Sequence, residues 1–150
     1  MSVVLIDTSV FCNIVPVPGR DQRKDDVMAE FKNLINQRAT LLLPMTAVLE
    51  TGNHIAQLPN GGQRRATAVT FCKLVVDAIE GSAPWTPTPF WEIDAMKLWL
   101  DEFPDAAMQG KGIGDLSIIK EWNRQCALNR ARRVRIWSLD GDLAGYDQDP

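Results

Sequence analysis

The chain has few cysteines and no pair of them at metal-binding spacing. Its three cysteines, Cys12, Cys72 and Cys126, are far apart, and each stands next to an apolar residue. Without a Cys-x-x-Cys pair there is no support for a common zinc motif, and an odd, scattered set provides no disulfide framework. We therefore expect reduced, mostly packed thiols that take no part in catalysis.

The chain also lacks a long apolar run. Leu41-Leu42-Leu43 is stopped by Pro44, far short of the roughly 18 residues that cross a bilayer. The sequence opens directly on a strand-like segment, without the charged and apolar regions of a secretory leader. These features predict a cytoplasmic protein with no membrane partner.

Excess charge of one sign is absent as well. The net charge is −3, from 16 basic and 19 acidic residues. That balance argues against broad, non-specific binding to nucleic acid, but it allows a local basic track over an acidic centre. The length of 150 residues predicts a single domain over residues 1–150, which buries roughly two-thirds of its unfolded surface.

Hydrophobic periodicity predicts strands that alternate with helices. The predicted strands cover residues 3–6, 40–43 and 134–139, with one short edge strand near Trp85. The predicted helices cover residues 27–37, 47–58, 63–79, 90–103 and 116–128. This order is typical of an α/β fold, here a three-layer α/β/α sandwich with a mostly parallel central sheet.

Five acidic residues follow or flank these elements: Asp7, Glu50, Asp115, Asp140 and Asp142. Each has a local explanation. Asp7 is placed to cap a helix, and Glu50 could simply be a solvated residue on a helix surface. Asp115 would interact favourably with a helix dipole. Asp140-Gly-Asp142 suits an ordinary turn after a strand.

Taken together, the acids point to a shared site. The carboxyl ends of parallel strands and the helices that follow them meet at one edge of a sheet. Carboxylates crowded there repel one another, and their pKa values rise. A hard divalent cation with oxygen ligands, Mg²⁺ or Mn²⁺, removes that penalty. The chemistry indicated is metal-assisted hydrolysis of a phosphodiester.

The same motifs resemble those of PIN-domain ribonucleases. The resemblance rests on Ile6-Asp7-Thr8-Ser9 after the first strand, Glu50 early in a helix, Asp115 opening a late helix, and Ser138-Leu-Asp140-Gly-Asp142-Leu143 at the last strand. Chain length and element order are similar to the VapC-type toxins of bacterial toxin–antitoxin pairs. The likeness covers nearly the whole chain.

This resemblance implies a Mg²⁺- or Mn²⁺-dependent endoribonuclease that forms homodimers and is inhibited by an antitoxin protein. Asp7, Glu50 and Asp115 would ligate the metal, with Asp140 as the fourth acid and Asp142 as its rival. Thr8 or Ser9, together with Ser138, would orient carboxylates or waters.

Two segments depart from the family pattern. Residues 112–117 replace the Asp-Ala that more commonly opens the late helix, and residues 84–91, rich in proline and tryptophan, have no counterpart. In the second segment, Trp85 and Trp91 are candidates for base stacking or a dimer contact.

Several basic residues carry open assignments. His54 lies four positions after Glu50, on the same face of the helix. Its candidate roles are an outer-shell group of the metal site, an RNA contact and a partly buried structural histidine. The candidate phosphate contacts are Arg64, Arg65, Arg132 and Arg133, for which solvated helix ends are the alternative.

Two other functions compete with the nuclease. A phosphatase of the haloacid-dehalogenase kind needs Asp-x-Asp after the first strand, and Ser9 replaces the second Asp here. The second competing function is a non-catalytic binding module, either a receiver domain or a degenerate nuclease. A receiver usually has a mid-chain strand that ends in Asp, and none is visible.

Overall fold

A computed structural model describes residues 1–150 and contains a five-stranded sheet in the order β3-β2-β1-β4-β5. The strands are β1 (Val3–Ile6), β2 (Thr40–Leu43), β3 (Trp85–Pro87), β4 (Val134–Trp137) and β5 (Asp147–Gln148). Strands β1 to β4 all run parallel to one another, and β5 runs antiparallel to β4. The predicted α/β class and mostly parallel sheet are confirmed.

Seven helices connect and cover the strands. They are α1 (Thr8–Ile14), α2 (Lys24–Asn36), α3 (Met45–Ala56), α4 (Gly61–Ile79), α5 (Ile93–Met108), α6 (Ile113–Leu128) and α7 (Gly141–Ala144). Their starts follow local chemistry: the Asn60 side chain accepts a hydrogen bond from the Gln63 amide at the start of α4. Pro44 ends β2 and precedes α3 directly.

The central strand β1 separates two hydrophobic cores. Because side chains alternate along a strand, Val4 and Ile6 face one side of the sheet and Val3 and Leu5 the other. The first pair packs with residues of α1, α2, α3 and α4, and the second with residues of α6 and α7. All four side chains are at most 1% exposed. Helices on both faces are compatible with the predicted three-layer sandwich.

Three short elements were not predicted from the sequence: α1, α7 and β5. Each is short, so each offers too few residues to establish a period. The predicted edge strand near Trp85 is confirmed as β3, which lies at the end of the sheet. The helix predicted over residues 90–103 instead begins at Ile93 and continues through Pro104 to Met108.

The expected burial of some apolar residues was wrong. Cys72, Val76 and Ile79 were assigned to the buried face of α4, yet all three are exposed. Val75, which was assigned to the same face, is buried as predicted, and Ala78 is buried beside it. Most of the predicted apolar face of α5 is also exposed, and only Trp99 is buried there. No helix combines the length and the apolar character that crossing a bilayer would require.

Candidate functional site

Four of the five predicted acids line one open cleft of about 360 Å³ at the carboxyl edge of the sheet. Asp7 follows β1, Glu50 projects from α3, Asp115 lies in the first turn of α6, and Asp140 precedes α7. The parallel pairing of β1 with β2 and β4 aligns the carboxyl ends of the three strands, so the segments that follow them meet here. The structure thus brings together acids that are up to 133 positions apart in the chain, from Asp7 to Asp140.

The Asp7 carboxylate is fixed by two serine hydroxyls. Its Oδ2 accepts hydrogen bonds from Ser9 Oγ at 2.8 Å and from Ser138 Oγ at 2.7 Å. Ser9 Oγ in turn accepts a hydrogen bond from the Leu139 amide, and Ser138 Oγ accepts one from the Asp140 amide. We call this arrangement of Asp7, Ser9 and Ser138 the serine clamp. It joins the ends of β1 and β4 and leaves Asp7 Oδ1 without a partner in the chain.

The capping role considered for Asp7 is not realised. Asp7 stands at the N-cap of α1, but its side chain makes no capping hydrogen bond. Thr8 also lines the cleft, yet its hydroxyl bonds to no carboxylate, unlike those of Ser9 and Ser138. Likewise Thr46, expected to cap α3, lies within its first turn and shares a 2.6 Å hydrogen bond with Ser117.

Among the acids of the cleft, Glu50 has the most strongly raised pKa. Burial raises the pKa of Glu50 from 4.5 to about 7, and the charges of Asp7 and Asp115 add to the effect. The pKa of Asp115 is raised by burial and by Asp7 and Asp140, while a hydrogen bond with the Gly112 backbone opposes the change. None of the four acids is in an ion pair with a basic side chain. The cleft therefore holds negative charge that the protein itself does not neutralise.

The two rival acids after β4 differ in position. Asp140 lines the cleft, and its side chain accepts the Asp142 amide at 2.9 Å. Asp142 is exposed and outside the cleft lining, although its charge contributes weakly to the raised pKa of Asp115.

At Gly114, α6 comes close enough to Glu50 that a larger residue would displace the Glu50 carboxylate. A Cβ atom at position 114 would lie 3.1 Å from the Glu50 carboxyl carbon and would collide with one of its oxygens. At Gly112, by contrast, an added Cβ would meet nothing within 4 Å. Gly112 and Gly114 therefore have unequal roles, because a side chain only at position 114 would move the Glu50 carboxylate.

Basic and amide side chains form the opposite rim. Arg20, Gln22 and Arg23 line the cleft together with the acids. Asn13 holds this rim in place, since its side chain accepts the Arg23 amide and donates to the Ser9 carbonyl. Sequence reasoning treated residues 20–26 only as a charged stretch. The available signal was its position directly after the turn that follows the first strand.

His54 lines the same cleft. Burial and the nearby Arg20 charge lower the pKa of His54, although a hydrogen bond with Gln57 opposes them. Its Nδ1 is buried without a partner. The His54 side chain therefore lines the cleft while remaining partly buried.

The arginines proposed as phosphate contacts lie elsewhere. Arg64 donates to the Leu58 carbonyl at 2.7 Å, and Arg132 donates to Thr40 Oγ1. Arg133 forms an ion pair with Asp147 at 2.5 Å. None of these, nor Arg65, lines the acidic cleft.

Of the two candidate stacking residues, Trp85 is buried against Phe11 and Phe31 and is unavailable for stacking. Trp91 is only partly buried and packs edge-on against Trp99.

The donor set suits a hard cation in type and charge. Carboxylate oxygens are the ligands that Mg²⁺ and Mn²⁺ prefer, and the unneutralised acids supply the charge. As the side chains stand, no three His, Cys, Asp or Glu residues form a closed metal-binding group. A cation would have to draw the carboxylates together.

Comparison of the chain with protein-family models, with curated proteins and with solved structures gave no match.

Proposed function

We propose that this protein is a divalent-metal-dependent endoribonuclease. The observation that carries the proposal is the convergence of Asp7, Glu50, Asp115 and Asp140 on one cleft without a basic ion-pair partner. Acids with a purely structural role are normally paired or solvated separately. Four acids from separate elements line the cleft, and burial together with the charges of Asp7 and Asp115 brings the pKa of Glu50 to about 7. Such a shift indicates a site that acts on a cation or a proton.

The resemblance of the motifs to PIN-domain ribonucleases supports the same function. Under this proposal the sandwich is PIN-like, and the serine clamp corresponds to the polar residues expected around Asp7. The protein would then be the cytoplasmic toxin of a toxin–antitoxin pair. A homodimeric state and a cognate antitoxin are part of this proposal.

The proposed chemistry divides between the acids and the opposite rim. Asp7, Glu50, Asp115 and Asp140 would hold Mg²⁺ or Mn²⁺, which supplies charge stabilisation and an activated water. The serine clamp keeps the Asp7 carboxylate oriented, with Oδ1 open to the cleft. Arg20 has no ion pair and lies on the rim, where it is placed to bind a phosphate of the RNA backbone.

Asp7→Asn is the direct test. The substitution keeps the shape of the side chain but removes its charge, so we expect Mg²⁺- or Mn²⁺-dependent cleavage of a mixed-sequence RNA to fall at least about 100-fold. Circular dichroism and thermal melting should show that the fold is intact. Asp105→Asn, at an exposed position on α5 away from the cleft, is the matched control and should cleave normally.

Two outcomes would overturn the proposal. Cleavage by the Asp7→Asn protein at the wild-type rate would assign the activity to another site or to a contaminant. A folded wild-type protein that neither cleaves RNA nor takes up Mg²⁺ or Mn²⁺ by calorimetry would favour the non-catalytic binding module.

A further inference from the structure

A second depression, which we call the aromatic groove, lies beside the acidic cleft. It encloses about 180 Å³, and its walls include Phe90, Trp91, Trp99, Thr88 and Glu121. Thr46, Leu49 and Ser117 line both this groove and an adjoining hollow whose walls include Glu50 and Asp115. The groove and the hollow beside the acids are therefore adjacent.

The groove is lined by apolar side chains, three hydroxyls and one buried carboxylate. Glu121, on α6, is only 2% exposed. Its Oε1 accepts hydrogen bonds from Arg124 at 3.2 Å and Gln125 at 2.8 Å, both on the same helix. Its Oε2 has no hydrogen-bond partner in the chain. Because Glu121 lines the groove and this oxygen accepts no hydrogen bond within the protein, it is a free acceptor for a ligand.

A free hydroxyl proton complements this acceptor. Thr88 is 6% exposed, and its Oγ1 accepts the Met45 amide at 3.2 Å. No acceptor in the chain takes the Thr88 hydroxyl proton. The hydroxyls of Thr46 and Ser117 differ, because they bond to each other and Ser117 also donates to the Gly114 carbonyl. The groove thus offers one free acceptor and one free donor among apolar walls.

These features favour a flat, neutral ligand over a cation. The Arg124 guanidinium already pairs with the Glu121 carboxylate, so the groove does not require a second positive charge. Phe90 is 65% exposed, and its ring is free to stack on a ligand. Aromatic rings are the usual platform for unstacked RNA bases, which proteins recognise by hydrogen bonds to their Watson–Crick edges.

We propose that the aromatic groove binds a guanine base of the RNA substrate, with Glu121 Oε2 accepting from its N1–H and amino group and the Thr88 hydroxyl donating to its O6. Only guanine presents two adjacent N–H donors on its Watson–Crick edge. Adenine and cytosine place a ring nitrogen acceptor beside the amino group, and uracil flanks its single N–H with two carbonyls. This proposal deepens the proposed nuclease function and rests on it for the identity of the ligand as RNA.

Binding of free nucleotides tests the groove independently of catalysis. In the presence of EDTA, GMP, AMP, CMP and UMP are titrated into ¹⁵N-labelled protein, and the indole N–H signals of Trp91 and Trp99 are followed by NMR. We expect GMP to shift these signals and to bind about tenfold more tightly than the other three nucleotides. Because no cleavage is measured, this result stands or fails whether or not the protein is a nuclease.

Two variants separate base recognition from stacking. Glu121→Gln keeps the side-chain shape but offers an amide in place of the carboxylate, so the preference for GMP should disappear. Phe90→Ala changes an exposed residue and leaves the packing intact. It should weaken the binding of all four nucleotides to a similar extent. Glu80→Gln, at an exposed position remote from the groove, should bind like the wild type.

Three results would overturn the guanine proposal. The first is an absence of indole shifts with GMP, and the second is equal affinity for the four nucleotides. The third is tighter binding of agmatine, a guanidinium probe, than of GMP, which would identify the groove as a pocket for an arginine side chain of a protein partner.

Discussion

Replacing Glu50 by glutamine should stabilise the metal-free protein at neutral and alkaline pH. The pKa of Glu50 is raised from 4.5 to about 7 in the folded protein. Between these two pH values the folded state therefore holds the Glu50 proton more tightly than the unfolded chain does. Stability therefore falls as the pH rises from about 4.5 to 7, and the full loss is present above pH 7. Glutamine has no charge to bury and removes this loss.

The magnitude follows from the pKa itself. A rise from 4.5 to about 7 corresponds to about 3 kcal/mol, at about 1.4 kcal/mol for each pH unit. Glu50 is partly exposed, and solvent screening reduces that value. We expect Glu50→Gln to raise the free energy of unfolding by about 1–3 kcal/mol at pH 8 and by almost nothing at pH 4.

Urea unfolding in the presence of EDTA, followed by tryptophan fluorescence at pH 4, 6 and 8, measures this difference. Comparing variant with wild type at each pH cancels the titration of all other groups. Glu80→Gln, which replaces an exposed and unpaired acid, should show no such dependence. Equal stability of wild type and Glu50→Gln at pH 8 would refute the reasoning, because the Glu50 carboxylate would then be destabilised neither by burial nor by the charges of Asp7 and Asp115.

Three further substitutions test the site. Gly114→Ala should abolish RNA cleavage while the protein stays folded, because the new methyl group displaces the Glu50 carboxylate. Ser138→Ala should lower the free energy of unfolding by about 1–3 kcal/mol and reduce kcat, because Asp7 loses one of two charge-assisted hydrogen bonds. Arg20→Ala should raise KM for RNA several-fold more than it lowers kcat, because it removes a phosphate contact on the rim.

Each of these three changes has a matched control. Gly112→Ala adds the same methyl group in open space and should remain active; equal loss at both glycines would show that helix geometry, not the clash, is responsible. Ser82→Ala, an exposed serine, should leave stability nearly unchanged. Arg65→Ala, at an exposed arginine outside the cleft, should keep the wild-type KM, and a similar rise there would indicate a diffuse charge effect.

The sequence was most informative where one environment dominates a segment. The run from Val3 to Ile6 is buried on both faces, so its apolar character alone predicted a central strand. The acids were predictable as a group because parallel strands bring their carboxyl ends to one edge. The preference between Asp140 and Asp142 was not predictable, since it depends on the turn into α7, a helix of four residues.

Other features depend on tertiary contacts that leave no local pattern. The arginines at positions 132 and 133 are close to the last strand in sequence, but they lie at its amino end and bond to neighbouring chain segments. The rim residues Arg20 and Arg23 reach the cleft only because Asn13 holds their loop. The close approach of position 114 to Glu50 arises between two helices, and no single segment encodes it.

The serine clamp makes assembly of the cleft dependent on the most distant parts of the chain. Ser138 and Asp7 are separated by 131 positions, so the first acid gains its second anchor only after the fourth strand has docked beside the first. During synthesis on the ribosome, a partly emerged chain would have every earlier acid but no finished pocket. Completion of the cleft therefore depends on the docking of β4, and not only on the elements that carry Glu50 and Asp115.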